Sequence, residues 1–116
     1  MTKKIIKFYK DLILLNESPN SIIEKINSTE KNWKESEIIV KMTKNDLRWV
    51  LEKYIKNEIT LTELTVWADF LELNENIEFL TDENDYIVDI IFLIANQEIN
   101  WRFTKEIALT CLEKAN

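Results

Sequence analysis

The chain contains no glycine, and this absence restricts its fold more than any other feature of the sequence. Glycine supplies the positive φ angles of tight β-hairpin turns and of the loops that bind phosphate groups. Its absence therefore disfavours β-sandwiches, Rossmann folds and P-loops together. What is left is a set of helices whose connections use asparagine for the left-handed position that ends a helix.

Capping residues and helically spaced apolar side chains mark those helices. Ser18 is a helix cap followed by the one proline, Pro19, which suits the first helical position. Thr60 and Glu63 have the spacing of a capping box. The predicted helices cover 4–15, 19–26, 44–56 behind Thr43, 61–73, a segment from Thr81 or Asp82 to Ala95, and a last one from Thr104 to Lys114. We expect a single all-α, bundle-like domain of five to six helices.

Two parts of this domain are predicted in different detail. Residues 43–116 form the helical core, and residues 1–42 form an N-terminal helical segment that is either docked or mobile. Residues 27–37 are the best candidate for a linker or mobile loop. Residues 38–40 are β-branched, but no second strand is evident, so we expect an extended lead-in or a piece of helix there, and a loop at 74–80.

The most apolar helix is predicted at residues 61–73, with Trp67 as its largest side chain. A helix with so few polar positions is expected to lie centrally and to pack on several sides. The segment 82–95 is also apolar around most of its circumference. The polar stripes of the two helices are Thr62, Thr65, Asp69 and Glu72 on the first, and Asp82, Asp85 and Asp89 on the second.

Net charge limits the kinds of partner. The chain has 15 Lys and Arg residues against 21 Asp and Glu residues, a net charge of −6, and a pI near 4.8. Binding of DNA or RNA needs a positive surface, so we expect no nucleic-acid partner and a basic protein instead. No signal peptide is evident, and no apolar run approaches the roughly 18 residues of a membrane span. We therefore expect no membrane association and a cytoplasmic location.

Most catalytic chemistry is disfavoured by the side chains that are missing. Histidine is absent, which removes Ser–His–Asp and Cys–His arrangements and the commonest metal ligand. The single cysteine, Cys111, lies on an apolar arc and is better interpreted as a buried hydrophobe than as a reactive thiol. Residues 82–86, DENDY, lack the central glycine and closing glutamate of a calcium loop. We expect no enzymatic activity, no cofactor and no metal site.

Eight residues are candidates for partner binding. Trp49 falls about 100° off the nearest edge of the core arc of its helix. It either packs under the N-terminal segment or is an exposed aromatic anchor, and Trp33 and Trp101 carry the same ambiguity. The other candidates are acids that form one negative surface, or that merely stabilise a helix N-terminus and remain solvated: Asp69, Glu72, Glu75, Glu78, Asp82, Asp85 and Asp89.

The C-terminal half of the chain also resembles a known family. Residues 51–79 read LEKYIKNEITLTELTVWADFLELNENIEF, and residues 89–100 read DIIFLIANQEIN. A tyrosine ends one helix, a capping box begins the next, Trp-Ala lies inside it, and IEF follows. This pattern resembles small bacterial helical proteins that are immunity partners of toxins, including those of contact-dependent growth inhibition systems. The pattern residues are expected to be caps and core: Tyr54, Thr60, Glu63, Leu64, Trp67, Ala68, Ile77, Phe79, Ala95 and Asn96.

Three hypotheses about function follow. The resemblance implies an immunity protein that neutralises a cognate toxin, and an acidic surface suits a basic nuclease as that toxin. The second hypothesis is a non-enzymatic helical adaptor or regulator that docks a partner through an apolar or aromatic groove. The third is a metal-assisted enzyme that uses carboxylates, which would need tight binding of a divalent cation.

Overall fold

The fold of the chain was analysed in a computed structural model. The structure describes residues 2–28, 40–74, 76–80, 86–97 and 102–114. Within these ranges, six helices and one two-stranded parallel sheet are present, which confirms the predicted all-α fold class. In chain order the elements are α1 (Thr2–Leu14), α2 (Pro19–Ser28), β1 (Val40–Met42), α3 (Lys44–Ile55), α4 (Leu61–Leu73), β2 (Ile77–Phe79), α5 (Tyr86–Ala95) and α6 (Lys105–Lys114).

The helix starts follow the predicted caps. At α3, the backbone N–H of Asp46 donates to the Thr43 hydroxyl at 3.2 Å, and that of Thr43 donates to the Asp46 carboxylate at 2.9 Å. Thr60 and Glu63 form the same reciprocal capping box at α4, at 3.1 and 3.0 Å. Thr104 caps α6 by accepting from a backbone N–H at 3.2 Å. The predicted start of the fifth helix, at Thr81 or Asp82, lies outside the described residues.

The helix ends use positive φ angles without glycine. Asn57 has φ 63° after α3, and Leu15 has φ 49° after α1. In both places the residue with positive φ and the next one donate backbone hydrogen bonds back into the last helical turn, which is the Schellman pattern of helix termination. The expectation that asparagine takes this position is confirmed at Asn57. At Leu15 a leucine takes it instead, a conformation that costs about 1–2 kcal/mol for a side chain with a Cβ.

The short sheet corrects two predictions. Residue 40 begins a strand rather than a lead-in, and residues 77–79 form its partner rather than part of a loop. The register is parallel and pairs Val40 with Ile77 and Met42 with Phe79. The amide of Val40 donates to the carbonyl of Asn76 at 2.7 Å, and the amide of Leu80 donates to that of Met42 at 2.8 Å. The β-branched residues at 38–40 were a local signal for a strand, but three residues are too short for an alternating pattern and the pairing is non-local, so the partner at 77–79 could not be identified from the sequence.

The core is built around α4, as the sequence predicts. Trp67 and Leu64 are fully buried, and α4 packs against α5 and α2. The N-terminal segment is docked where it is described, since Ile5 and Leu12 of α1 and Ile22 of α2 are also fully buried. At its C-terminal end α4 leaves the core, because the side chain of Leu73 is 82 % exposed.

Candidate partner-binding surface

Charge is unevenly distributed along the chain. Residues 57–101 contain eleven Asp and Glu residues and no Lys or Arg, whereas the rest of the chain holds all fifteen Lys and Arg residues and ten Asp and Glu residues. The described part of this acidic segment comprises α4, β2, α5 and their flanks. Residues 57–101 therefore form an acidic segment, and the net negative charge of the protein comes from it.

The described acids of the predicted surface are all exposed. Asp69 and Glu72 lie on α4, Glu78 lies on β2, and Asp89 lies in the first turn of α5. The other three predicted acids, Glu75, Asp82 and Asp85, lie outside the described residues. Exposed acids can be solvated or can bind a partner. A role of these acids in partner binding therefore stays a prediction.

The polar stripe of α4 is tied to the C-terminal end of α5. The Gln97 side chain donates to the hydroxyl of Thr65 at 2.9 Å, and the Asn96 side chain donates to the carboxylate of Glu72 at 2.9 Å. Asp69 lies between Thr65 and Glu72 along the same stripe. These amides hold the Glu72 carboxylate and the Thr65 hydroxyl of α4 against the C-terminal end of α5.

Glu78 has a different electrostatic environment. In the parallel sheet it is the register partner of Lys41, and both side chains are exposed. Neighbouring strands lie only about 5 Å apart, so the positive charge of Lys41 opposes the negative charge of Glu78. Lys41 therefore offsets part of the contribution of Glu78 to a negative surface.

Three apolar residues on α5 were missed as candidates. Val88, Phe92 and Leu93 are 42 %, 46 % and 36 % exposed. The buried face of α5 consists of isoleucines at helical spacing, Ile87, Ile90, Ile91 and Ile94. The sequence predicts a helix that is apolar around most of its circumference, and that composition alone does not separate buried from exposed positions. The repeated isoleucines were the available signal, because a four-residue arc of β-branched side chains already fills one helix face.

Trp49 is exposed, which agrees with the second of its two predicted alternatives and not with burial under the N-terminal segment, while its role as an anchor stays a prediction. Its side chain is 51 % exposed, and the Nζ atom of Lys53 lies 5.6 Å from the centre of a Trp49 ring. Trp49 lines a shallow pocket of about 40 Å³ together with Glu52, Lys53, Lys56 and Glu58. None of the four predicted acids that the structure describes, Asp69, Glu72, Glu78 and Asp89, belongs to this group. Among the described residues, Trp49 is therefore not combined with the acidic candidates in one pocket.

The polar groups buried in the described core differ in their hydrogen bonding, since Nε of Arg48 is buried without a hydrogen-bond partner whereas Tyr86 has one. The hydroxyl of Tyr86 donates to the carbonyl oxygen of Cys111. Burial, and secondarily Cys111, raise the pKa of Tyr86 to about 12, while Arg48 opposes the increase. Cys111 is 7 % exposed, in agreement with its interpretation as a buried hydrophobe. Among the described residues, no cluster of three Cys, Asp or Glu side chains is suited to a metal ion.

A further surface groove lies where α3, the start of α4 and the start of α6 meet. It has a volume of about 410 Å³, and Tyr54, Leu61 and Phe103 provide its apolar wall. Arg102, Lys105 and Glu106 provide its charges, so the groove carries both positive and negative side chains.

Each helix in the described ranges is too short or too polar to cross a bilayer.

Comparison of the chain with family models, with curated proteins and with solved structures found no match. Exposure, charge and packing are therefore the grounds on which its function is inferred.

Proposed function

We propose that this protein is a cytoplasmic immunity protein that binds a cognate bacterial toxin, a basic nuclease, and neutralises it stoichiometrically. The observation that supports this proposal is the acidic segment 57–101, which has eleven carboxylates and no basic residue. Its described acids on α4 and α5, Asp69, Glu72 and Asp89, are exposed. An inhibitor of this kind acts by occupying a surface, so it needs no catalytic residue and no cofactor.

Charge complementarity provides the physical reason for choosing a nuclease. A protein that binds nucleic acid carries a positive surface that displaces counterions from phosphates. An acidic protein can cover that surface, and the opposite charges accelerate the encounter by long-range attraction. Because salt screens this attraction over roughly 8–10 Å at physiological ionic strength, the association rate should fall steeply as salt increases.

The proposal is tested by purifying the tagged protein from its host at low and at high salt and identifying what accompanies it. The captured protein is then expressed alone and together with this chain, and growth and nucleic-acid cleavage are measured. We expect a basic toxin whose effect is abolished at a one-to-one ratio. A captured partner that is harmless to the cell, or one that binds equally fast at low and high salt, would contradict the proposal.

A second function is favoured by the exposure of Trp49. A half-exposed tryptophan beside a pocket is typical of the aromatic anchors of protein interfaces, and none of the predicted acids that the structure describes lines that pocket. The corresponding function is a helical adaptor that docks a partner through aromatic and apolar contacts. It requires affinity that changes little with salt, and a large loss of binding in Trp49→Ala. The matched variant Asp69→Asn should leave adaptor binding unchanged.

A further inference from the structure

The exposed arc of α5 combines apolar and acidic side chains. Here it is called the α5 patch and consists of Val88, Asp89, Phe92 and Leu93, all exposed. At 100° per residue, Asp89 lies between Phe92 and Leu93 when the helix is viewed along its axis. The opposite face is buried to 4 % exposure or less in all four isoleucines, so the α5 patch is not needed for the core.

A second carboxylate lies at the end of the α5 patch. The side-chain amide nitrogen of Asn96 donates to the carbonyl oxygen of Phe92 at 3.0 Å and to a carboxylate oxygen of Glu72 at 2.9 Å. One amide thus holds the Glu72 carboxylate close to the backbone of Phe92. Neither α4 nor α5 contains a lysine or arginine, so no positive side chain of these two helices neutralises Glu72 or Asp89.

We propose that the α5 patch is the docking surface for a basic protein segment that presents an apolar side chain flanked by Lys or Arg. The inference rests on the proposed function, since it assigns the binding face for the toxin. Phe92 is the apolar anchor, and Asp89 and Glu72 are the acceptors for the flanking cations. Many protein interfaces have a central aromatic anchor, and charged residues around it set the orientation and the association rate of the partner.

Charge also distinguishes this occupant from two others. A second copy of the chain, docked face to face, would bring Asp89 and Glu72 against the same two acids, and like charges disfavour that pairing. An anionic membrane surface would repel the same carboxylates. A basic, partly apolar protein segment satisfies both components of the α5 patch, which is why it is the occupant proposed.

The test uses a defined probe instead of the unidentified toxin. The probe is a synthetic amphipathic helix of about five turns with a leucine stripe flanked by lysines, and its counterpart carries glutamates in place of the lysines. Each is titrated into the ¹⁵N-labelled protein and followed by amide chemical shifts. We expect shifts centred on residues 88–97 and on Glu72, with the lysine peptide only, and weaker binding at high salt.

Variants then separate the anchor from general surface effects. Phe92→Asp should lower the affinity for the lysine peptide about tenfold or more, as expected for loss of a central aromatic anchor. Leu109→Asp is the matched control, because Leu109 is 49 % exposed but lies on α6, and it should change affinity less than about twofold. Asp89→Asn, which preserves shape, should weaken binding about two- to fivefold by loss of one charge pair. Melting curves confirm that each variant is folded.

Several results would overturn the docking surface. These are shifts centred on Trp49 and Lys53, equal binding of the glutamate peptide, equal losses in Phe92→Asp and Leu109→Asp, or a dimer in sedimentation that Phe92→Asp dissociates. If the captured toxin is neutralised equally well by the wild-type protein and by Phe92→Asp, the docking surface is wrong while the immunity function stands. If no toxin is found but the peptide binds the α5 patch as described, the surface stands and the immunity function is wrong.

Discussion

Lys53 compensates for an unfavourable backbone conformation at Leu15. The ammonium group of Lys53 donates to the carbonyl oxygen of Leu15 at 2.7 Å and to that of Leu14 at 3.0 Å. These two carbonyls lie at the C-terminal end of α1, where backbone acceptors have no partner within the helix and a positive charge is favourable. The Leu15 side chain is only 3 % exposed, so its burial also favours the left-handed conformation that its φ of 49° requires.

Replacing Lys53 with methionine should therefore destabilise the protein. Methionine keeps most of the apolar stem but removes both hydrogen bonds and the charge, and we expect a loss of about 1–3 kcal/mol in the free energy of unfolding. Urea denaturation followed by circular dichroism measures the change. Lys56→Met is the matched control, because Lys56 is exposed and lies at the end of α3, the helix that carries Lys53, and it should change stability by less than about 0.5 kcal/mol. Equal losses in the two variants would show that Lys53 is not a helix cap.

A second tie between distant segments involves Trp67, whose indole N–H donates to the carbonyl oxygen of Leu12 at 2.8 Å. Because Trp67 is fully buried, Trp67→Phe removes this donor and leaves a smaller ring in the same space. We expect a loss of about 2–3 kcal/mol, from the missing hydrogen bond and the incompletely filled volume. The comparison is with Trp49→Phe, at a half-exposed site without a hydrogen bond to the backbone of α1, where less than about 1 kcal/mol is expected. A Trp67→Phe variant as stable as Trp49→Phe would contradict the central position of this side chain.

Local signals account for the features that were predicted correctly. The cap at Thr43 and the capping box at Thr60 involve residues at most three apart, and the left-handed position of Asn57 depends on one side chain, so each can be predicted from a few residues of sequence. The burial of Trp67 follows from the apolar composition of its whole helix. These features fix helix boundaries and the central helix, which is most of the fold.

Non-local contacts account for what was missed. The pairing of β1 with β2 joins segments far apart in the chain, each only three residues long. The exposure of Phe92 depends on which side of α5 the other helices cover, and an almost wholly apolar helix does not indicate that side clearly. For Trp49, helical spacing correctly placed the side chain off the core arc, but whether the N-terminal segment covers it depends on a non-local contact, so both alternatives stayed open. The partner-binding role of all these residues stays a prediction.

The caps permit a quantitative prediction. Thr43→Ala and Thr60→Ala each remove a hydroxyl that accepts a backbone N–H, and each leaves the carboxylate of the same capping box in place. We expect a loss of about 1 kcal/mol for each variant. Thr62→Ala is the control for Thr60→Ala, since Thr62 is exposed within the same helix and alanine favours a helix interior. Urea denaturation should find Thr62→Ala neutral or slightly stabilising, and a loss equal to that of Thr60→Ala would contradict the capping role.

Tyr86 should make the protein sensitive to alkaline pH. In the unfolded chain its hydroxyl ionises near its ordinary pKa of 10.0, whereas in the folded protein burial raises that pKa to about 12. The folded state thus binds this proton more tightly, so its contribution to stability is complete below about pH 10 and is lost as the pH rises from about 10 to about 12. The measurement is the free energy of unfolding at several pH values, in the wild-type protein and in Tyr86→Phe.

The variant loses the hydrogen bond to the Cys111 carbonyl, so it should be less stable than the wild-type protein at neutral pH. Its free energy of unfolding should fall less steeply above pH 10. Identical slopes in the two proteins would show that the Tyr86 hydroxyl titrates as it does in the unfolded chain.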